Sequence, residues 1–210
     1  MRRLPDWAAR TAIVAAAIAL SLPVLRSGAA QSLARADPVA AAELAPGDAR
    51  AAVDAARARV EAGESAASPE VRRLVRTALR RDLTVPGALE LRALDLELSG
   101  DRRRAGRLFE LSSAISRRSL PTRLWLIQRS VDRGDVAGAL DNFDLALRTS
   151  SAAPDILFPV LAGATADPGL VRPIAGVLDR PTDWRAMFLG YAISEGGAAP
   201  AIADVVLAMR

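Results

Sequence analysis

Two stretches decide the fold: Gly100-Asp101-Arg102-Arg103-Arg104-Ala105-Gly106-Arg107-Leu108-Phe109 and, 34 residues on, Gly134-Asp135-Val136-Ala137-Gly138-Ala139-Leu140-Asp141-Asn142-Phe143. The Gly-Asp pair recurs at the same place in both. So do Ala105 and Ala139, Phe109 and Phe143, and the small residues Ser112 and Ala146. One period upstream, the last three positions hold Val71, Val75 and Ala78; Pro86 and Pro154 lie two periods apart. Self-similarity at a fixed spacing of this length marks a stack of short units, none of which can bury its apolar face alone.

The unit itself follows from local chemistry. An apolar helix is expected to end near Ser99 and again near Arg133. The glycine that follows takes a left-handed conformation without a Cβ penalty. The aspartate after it accepts hydrogen bonds from the free N–H groups of the next helix. That second helix places Ala139, Phe143 and Ala146 at i, i+4 and i+7, which is one helical face. The small residue lets two helices approach, and the phenylalanine fills the space beside it. Pro154 opens the next helix, where its missing N–H costs least.

At these residues the chain resembles the tetratricopeptide repeat (TPR) family. The likeness is in the period, the Gly-Asp turn, the Ala five residues after the Gly, and the aromatic four residues later. It covers residues 51–151 and continues more weakly to 195, through 155–165, 170–179 and 183–194. The best units are 86–119 and 120–153. The first helices of these units agree poorly: Leu91, Arg92 and Leu94 stand opposite Trp125, Leu126 and Gln128. Upstream, Ala66 stands where the turn glycine belongs, and downstream Pro173 replaces the small alanine. The resemblance implies an all-α fold, a TPR-like α-solenoid of antiparallel helix pairs preceded by one N-terminal hydrophobic helix. The layout is also similar to that of membrane-anchored repeat proteins of alphaproteobacteria. That similarity lies in the basic start, the single apolar helix, Ala34-Arg35-Ala36-Asp37-Pro38, Ser116-Arg117-Arg118 and Asp183-Trp184-Arg185 with Phe188-Leu189.

Composition agrees with helices. Hydrophobic residues make up 51% and aromatics 4%. The apolar mass is thus mainly Ala, Leu and Val, of which Ala and Leu are strong helix formers. There is no cysteine and no histidine, so disulfides, the usual zinc and haem sites, and Ser-His-Asp or Cys-His catalysis are excluded. There is no lysine either, which removes Schiff-base and phosphate-loop chemistry. The sequence pI near 10.9 reflects arginine usage, because the net charge is only +4. Acids and bases interleave as on a solvated helical surface, so no nucleic-acid partner is expected.

The N-terminal residues 1–27 read as a signal-anchor. Arg2, Arg3 and Arg10 precede the uncharged run 11–25. A helix begun at Trp7 would span about 28 Å, close to the bilayer core. The arginines place the N-terminus in the cytoplasm and the rest in the periplasm, as a single-pass inner-membrane protein. The alternative is a signal peptide cleaved near Gly28-Ala29-Ala30 or Ala34-Arg35-Ala36. Residues 28–50 read as a linker with a short helix, 51–195 as the repeats, and 196–210 as an apolar C-terminal helix after the breaker Gly196-Gly197-Ala198-Ala199-Pro200. That helix lacks a polar outer face, as a cap would have, which points to truncation or self-association.

Candidate functional residues sit on the concave face built from first helices. They are Glu90, Leu94 and Glu97 in one unit and Trp125, Gln128 and Asp132 in the next, set against the plainer reading that Trp125 packs on a neighbouring unit. Arg117-Arg118, between Ser116 and Ser119, suits a carboxylate or phosphate, or simply a solvated helix end. Arg102-Arg103-Arg104 reads as a surface run. Glu90, Asp95, Glu97 and Asp101 are the nearest thing to clustered carboxylates. Glu90 and Glu97 stand about 10 Å apart along a helix, which is too far for a paired-carboxylate hydrolase. No catalytic residue, metal or cofactor is expected. Trp184, Phe188 and Tyr191 read as core. The expected role is a non-catalytic scaffold for protein partners near a membrane; the alternative is a structural accessory subunit of an envelope or polysaccharide assembly.

Overall fold

The computed structural model describes residues 32–33, 35–194 and 199–209. The expected N-terminal helix and Gly196-Gly197 lie outside the described residues. Within them the protein is all-α, with eleven helices and no strand: α1 Pro38–Leu44, α2 Ala49–Glu61, α3 Pro69–Arg81, α4 Pro86–Leu98, α5 Arg102–Ile115, α6 Leu120–Asp132, α7 Val136–Thr149, α8 Ala153–Ala164, α9 Pro168–Leu178, α10 Arg185–Ser194 and α11 Ala199–Ala208. None of these helices is long and apolar enough to cross a membrane. Two compact units divide the chain, one up to Leu108 and one from Phe109.

Helix starts follow the capping chemistry. Asp37, Asp48, Ser68, Ser119, Asp135 and Asp167 each accept a hydrogen bond from a first-turn N–H, satisfying donors that no intrahelical carbonyl can reach. Asp101 does the same for the Arg104 N–H at 3.1 Å.

The two decisive glycines occupy equivalent bends. Gly100 has φ +82° and Gly134 φ +68°. At the first, the Asp101 N–H reaches Leu96 O at 2.9 Å and the Gly100 N–H reaches Glu97 O at 3.0 Å; at the second, Asp135 reaches Ser130 O at 2.9 Å and Gly134 reaches Val131 O at 2.9 Å. The acceptors too are 34 residues apart. This is the left-handed helix stop that satisfies terminal carbonyls.

A third bend of the same kind exists, but at Gly63 rather than at Ala66. Gly63 has φ +93°, and the Glu64 N–H reaches Arg59 O at 2.9 Å. The shift has a local cause. Alanine at φ > 0 would press its Cβ on the carbonyl, so α2 stops where a glycine is available. The extra residues to Pro69 form a loop in which the Glu64 carboxylate accepts from Ser68 Oγ at 2.6 Å and from Arg59 at 3.2 Å.

The second helices bury the repeating face. Val71, Val75 and Ala78, then Ala105, Phe109 and Ser112, then Ala139, Phe143 and Ala146, are all at most 6% exposed. In the first unit the core is built from Ala52, Val53, Ala55, Ala56, Val71, Leu74, Val75, Ala78, Ala88 and Leu91. Small side chains let α2 and α4 approach so closely that a Cβ on Gly87 would meet Val53 Cγ1 at 2.5 Å.

In the second unit α6 and α7 form a hairpin, and α7 to α11 enclose one larger core. Phe158 is its aromatic centre, with ring centroids 5.4 Å from Phe188, 5.7 Å from Tyr191 and 6.5 Å from Trp184. Trp184 also donates its Nε1–H to Asp144 at 2.9 Å. Pro159 and Pro173 stand inside α8 and α9; each removes one ladder hydrogen bond.

Candidate functional site

The six candidate residues fall on one face of α4 and one face of α6. Each face belongs to a different compact unit. On α4, Glu90 is 3% exposed, with Arg57 Nη2 3.8 Å from its carboxylate. Leu94 is half-buried against the first unit's core. Glu97 reaches solvent more fully; Arg102 Nε lies 3.6 Å from its Oε1, while its enclosed Oε2 has no hydrogen-bond partner among the described residues.

On α6, Trp125 is half-buried and stacks on Phe109, with centroids 4.8 Å apart and an interplanar angle of 21°. Arg129 lies over the ring at 5.0 Å and reaches Glu110 at 2.6 Å. Gln128 is exposed and donates to Asp132 Oδ1 at 2.7 Å. Trp125, Gln128 and Asp132 thus form one continuous strip, with the indole held in place by a ring beneath and a cation above.

Neither arginine of the Arg117-Arg118 pair is buried. Beside them lies Arg123, 5% exposed. It donates Nε–H to Arg117 O at 3.3 Å and Nη1–H to Asn142 Oδ1 at 3.0 Å. Burial, and then the Arg117 charge, push it below the ordinary arginine value. Arg102 and Arg104 are exposed and lie near Glu97 and Asp101.

One feature was not legible in the sequence. Asp95 is 2% exposed, on a different face of α4 from Glu90 and Glu97. Arg72 of α3 donates Nε–H to its Oδ1 at 2.8 Å and Nη2–H to the same oxygen at 2.5 Å; Arg92 Nη1 donates to Oδ2. The Asp95 hydrogen bond raises Arg72 above the ordinary arginine value. This triad lines an open groove of about 620 Å³, together with Val75, Arg76 and Leu79 on α3 and Leu91 and Leu96 on α4. The Arg92–Asp95 spacing, i and i+3, was visible in sequence. The partner 23 residues away on α3 needs the packing of two helices to be found.

Among the described residues no three acidic side chains gather in a way that could hold a metal ion. Comparison of the chain with protein-family models, with curated proteins and with solved structures finds no match.

Proposed function

We propose that this chain is a membrane-anchored, TPR-like scaffold that binds a protein partner and catalyses nothing. The supporting observation is the recurrence of one helical hairpin. Gly63, Gly100 and Gly134 carry the same left-handed stop, and the second helix after each buries the same three positions. Repeated hairpins of this kind stack into a solenoid and present an extended recognition surface. Trp125, Gln128 and Asp132 in the second unit, and separately Glu97 in the first, are the solvent-reaching candidates in this reading. The mechanism is recognition, with local concentration raised by residues 1–27 as a periplasm-facing inner-membrane anchor.

The test is site-specific photo-cross-linking in membranes, with the photoreactive residue placed at Gln128, Asp132 or Glu97 of the full chain. A discrete, reproducible adduct from at least one site supports the scaffold. Its absence from all three sites, with the protein folded, overturns it.

A second reading is favoured by α11. Leu207 is 83% and Val206 46% exposed, while Ile202 and Val205 are buried. An exposed apolar ridge on a short helix suits a structural subunit of an envelope or polysaccharide assembly, or self-association. Val206→Asp with Leu207→Asp should release such a complex while substitutions on α6 leave it intact.

A further inference from the structure

We infer that the groove between α3 and α4 is a docking site for an amphipathic helix of a partner protein, one that carries acidic residues beside its apolar stripe. This rests on the scaffold reading. Wall geometry gives the first argument. The α3 wall uses positions 72, 75, 76 and 79, and the α4 wall uses 91, 92, 95 and 96, with Ser99 just past the helix end. Both follow the spacing of a single helical face. Each wall therefore runs for about two turns, roughly 10 Å. Ridged walls of this kind are what a third helix packs between, and apolar anchors at i, i+3/i+4 and i+7 are how a helix is read in a groove. Leu79 and Leu96, the partly exposed apolar side chains of the groove, would receive those anchors; Val75 and Leu91 belong to the buried core.

Charge gives the second argument, and it selects the occupant. Among the described residues three cations line the groove, Arg72, Arg76 and Arg92, against one acid, Asp95. Three positive and one negative leave an excess of two positive charges. Asp95 is committed to Arg72 and Arg92. Among the described residues Arg76 donates only to the Arg72 carbonyl, at 3.3 Å.

The arginines are held ready. Their side chains remain 43% and 45% exposed for Arg72 and Arg92. Each turns part of its donor fork to Asp95 and keeps further N–H groups for a second carboxylate. Asp95 acts here as a positioning residue: buried, it fixes two guanidiniums that would otherwise sample many rotamers, and so lowers the ordering cost of binding. The cations are also distributed. Arg72 and Arg76 lie one turn apart, and Arg92 faces them from the other wall. Carboxylates spaced along a helix match that layout, whereas an anionic lipid offers one charge at one end.

The experiment selects binders on the full chain in detergent. A displayed library of 16-residue amphipathic helices, apolar on one stripe and randomised on its flanks, is panned on the natural protein and on Arg76→Glu. Among the described residues Arg76 forms no ion pair and donates to a backbone carbonyl, so this variant should fold; circular dichroism checks it. The inference expects Asp or Glu enriched at flank positions, binding weakened at least tenfold by Arg76→Glu, and recovery with Arg76→Lys. Asp95→Asn should weaken the same peptides while the fold persists. Failure to enrich any helix, enrichment without acids, or binding indifferent to Arg76→Glu each overturns it. Occupancy of the groove by dihexanoyl-phosphatidylglycerol in an Arg76-dependent manner, with no acidic helix selected, would assign it to lipid and also overturn it. If cross-linking at Gln128 still captures a partner while the groove fails these tests, the scaffold stands and the groove does not.

Discussion

Replacing Gly134 with alanine should destabilise the second unit by about 1 kcal/mol, a figure that follows from backbone conformation alone. Gly134 sits at φ +68°, and a Cβ built there meets nothing within 4 Å. No packing gain or clash therefore enters. An alanine in this region costs about 1–2 kcal/mol. Against that, it stiffens the unfolded chain and returns about 0.4–1 kcal/mol. The net is a loss near 1 kcal/mol. Asparagine, which tolerates the left-handed region, should lie closer to the natural protein. The control is the same chemical change at Gly190, within α10 and equally unobstructed. There the backbone is helical, so alanine should stabilise by about 0.5–1 kcal/mol. Both positions belong to the same compact unit. Urea unfolding followed by far-ultraviolet circular dichroism reads the two shifts against each other. Opposite signs are required; a neutral or stabilising Gly134→Ala would refute the left-handed stop. If the three bends are equivalent, Gly63→Ala and Gly100→Ala should lose about as much, since those sites are also open.

Gly87→Ala should destabilise the first unit in spite of its better helix propensity, because the new Cβ would meet Val53 Cγ1 at 2.5 Å and Arg57 Nη2 at 2.8 Å; a raised urea midpoint would contradict the close approach of α2 and α4. Phe109→Ala should cost about 3–5 kcal/mol, since the ring is wholly buried, and should change the Trp125 fluorescence by removing its stacking partner; an unaltered emission spectrum would count against that stack. Asp54 and Glu70 should show opposite pH behaviour. Burial raises Asp54 above its ordinary 3.8, so its ionised form opposes folding above the folded pKa, and that cost vanishes below 3.8. Asp54→Asn should therefore stabilise at pH 7, by an amount that shrinks on acidification. The Arg73 hydrogen bond lowers Glu70 below 4.5. Its contribution is present above 4.5 and is lost as pH falls through the folded value, so Glu70→Gln should flatten the acid limb of a stability–pH curve.

Much of the fold was readable because it is encoded locally. Gly100, Gly134 and the aspartates after them report their own backbone needs, and the 34-residue offset carried Val71, Val75 and Ala78 into the buried set with no three-dimensional information. The helices expected over 155–165, 170–179 and 183–194 lie within two residues of α8, α9 and α10. The bend at Gly63 was missed because strict periodicity pointed at Ala66, and loop length is set by side chains such as Glu64 and Ser68 rather than by the repeat. The site was harder. Trp125 could be flagged by its chemistry and Glu90 by its face, but burial of Glu90 depends on how α2 meets α4. The Arg72–Asp95 pair depends on the register of α3 against α4, which no local rule fixes.

The Asp95 triad bears on why this chain uses arginine and no lysine. A buried ion pair is a weak source of stability, since desolvation consumes most of the Coulombic gain, and a well-packed apolar substitute often does as well. If the triad existed only to hold α3 against α4, leucines would serve. What apolar residues cannot do is present oriented donors at the surface of a greasy groove. Lysine cannot do it either: its ammonium is a single hydrated point on a flexible stem, and a carboxylate that holds it leaves little directed capacity for another. A guanidinium has a planar fork of five donors, so Asp95 can hold one side of Arg72 or Arg92 while another side stays available. On this argument Arg92→Lys keeps the charge and loses the orientation. It should leave stability nearly unchanged and still weaken an acidic helix bound in the groove. Equal loss of stability and binding would instead mean that the triad is only a strut.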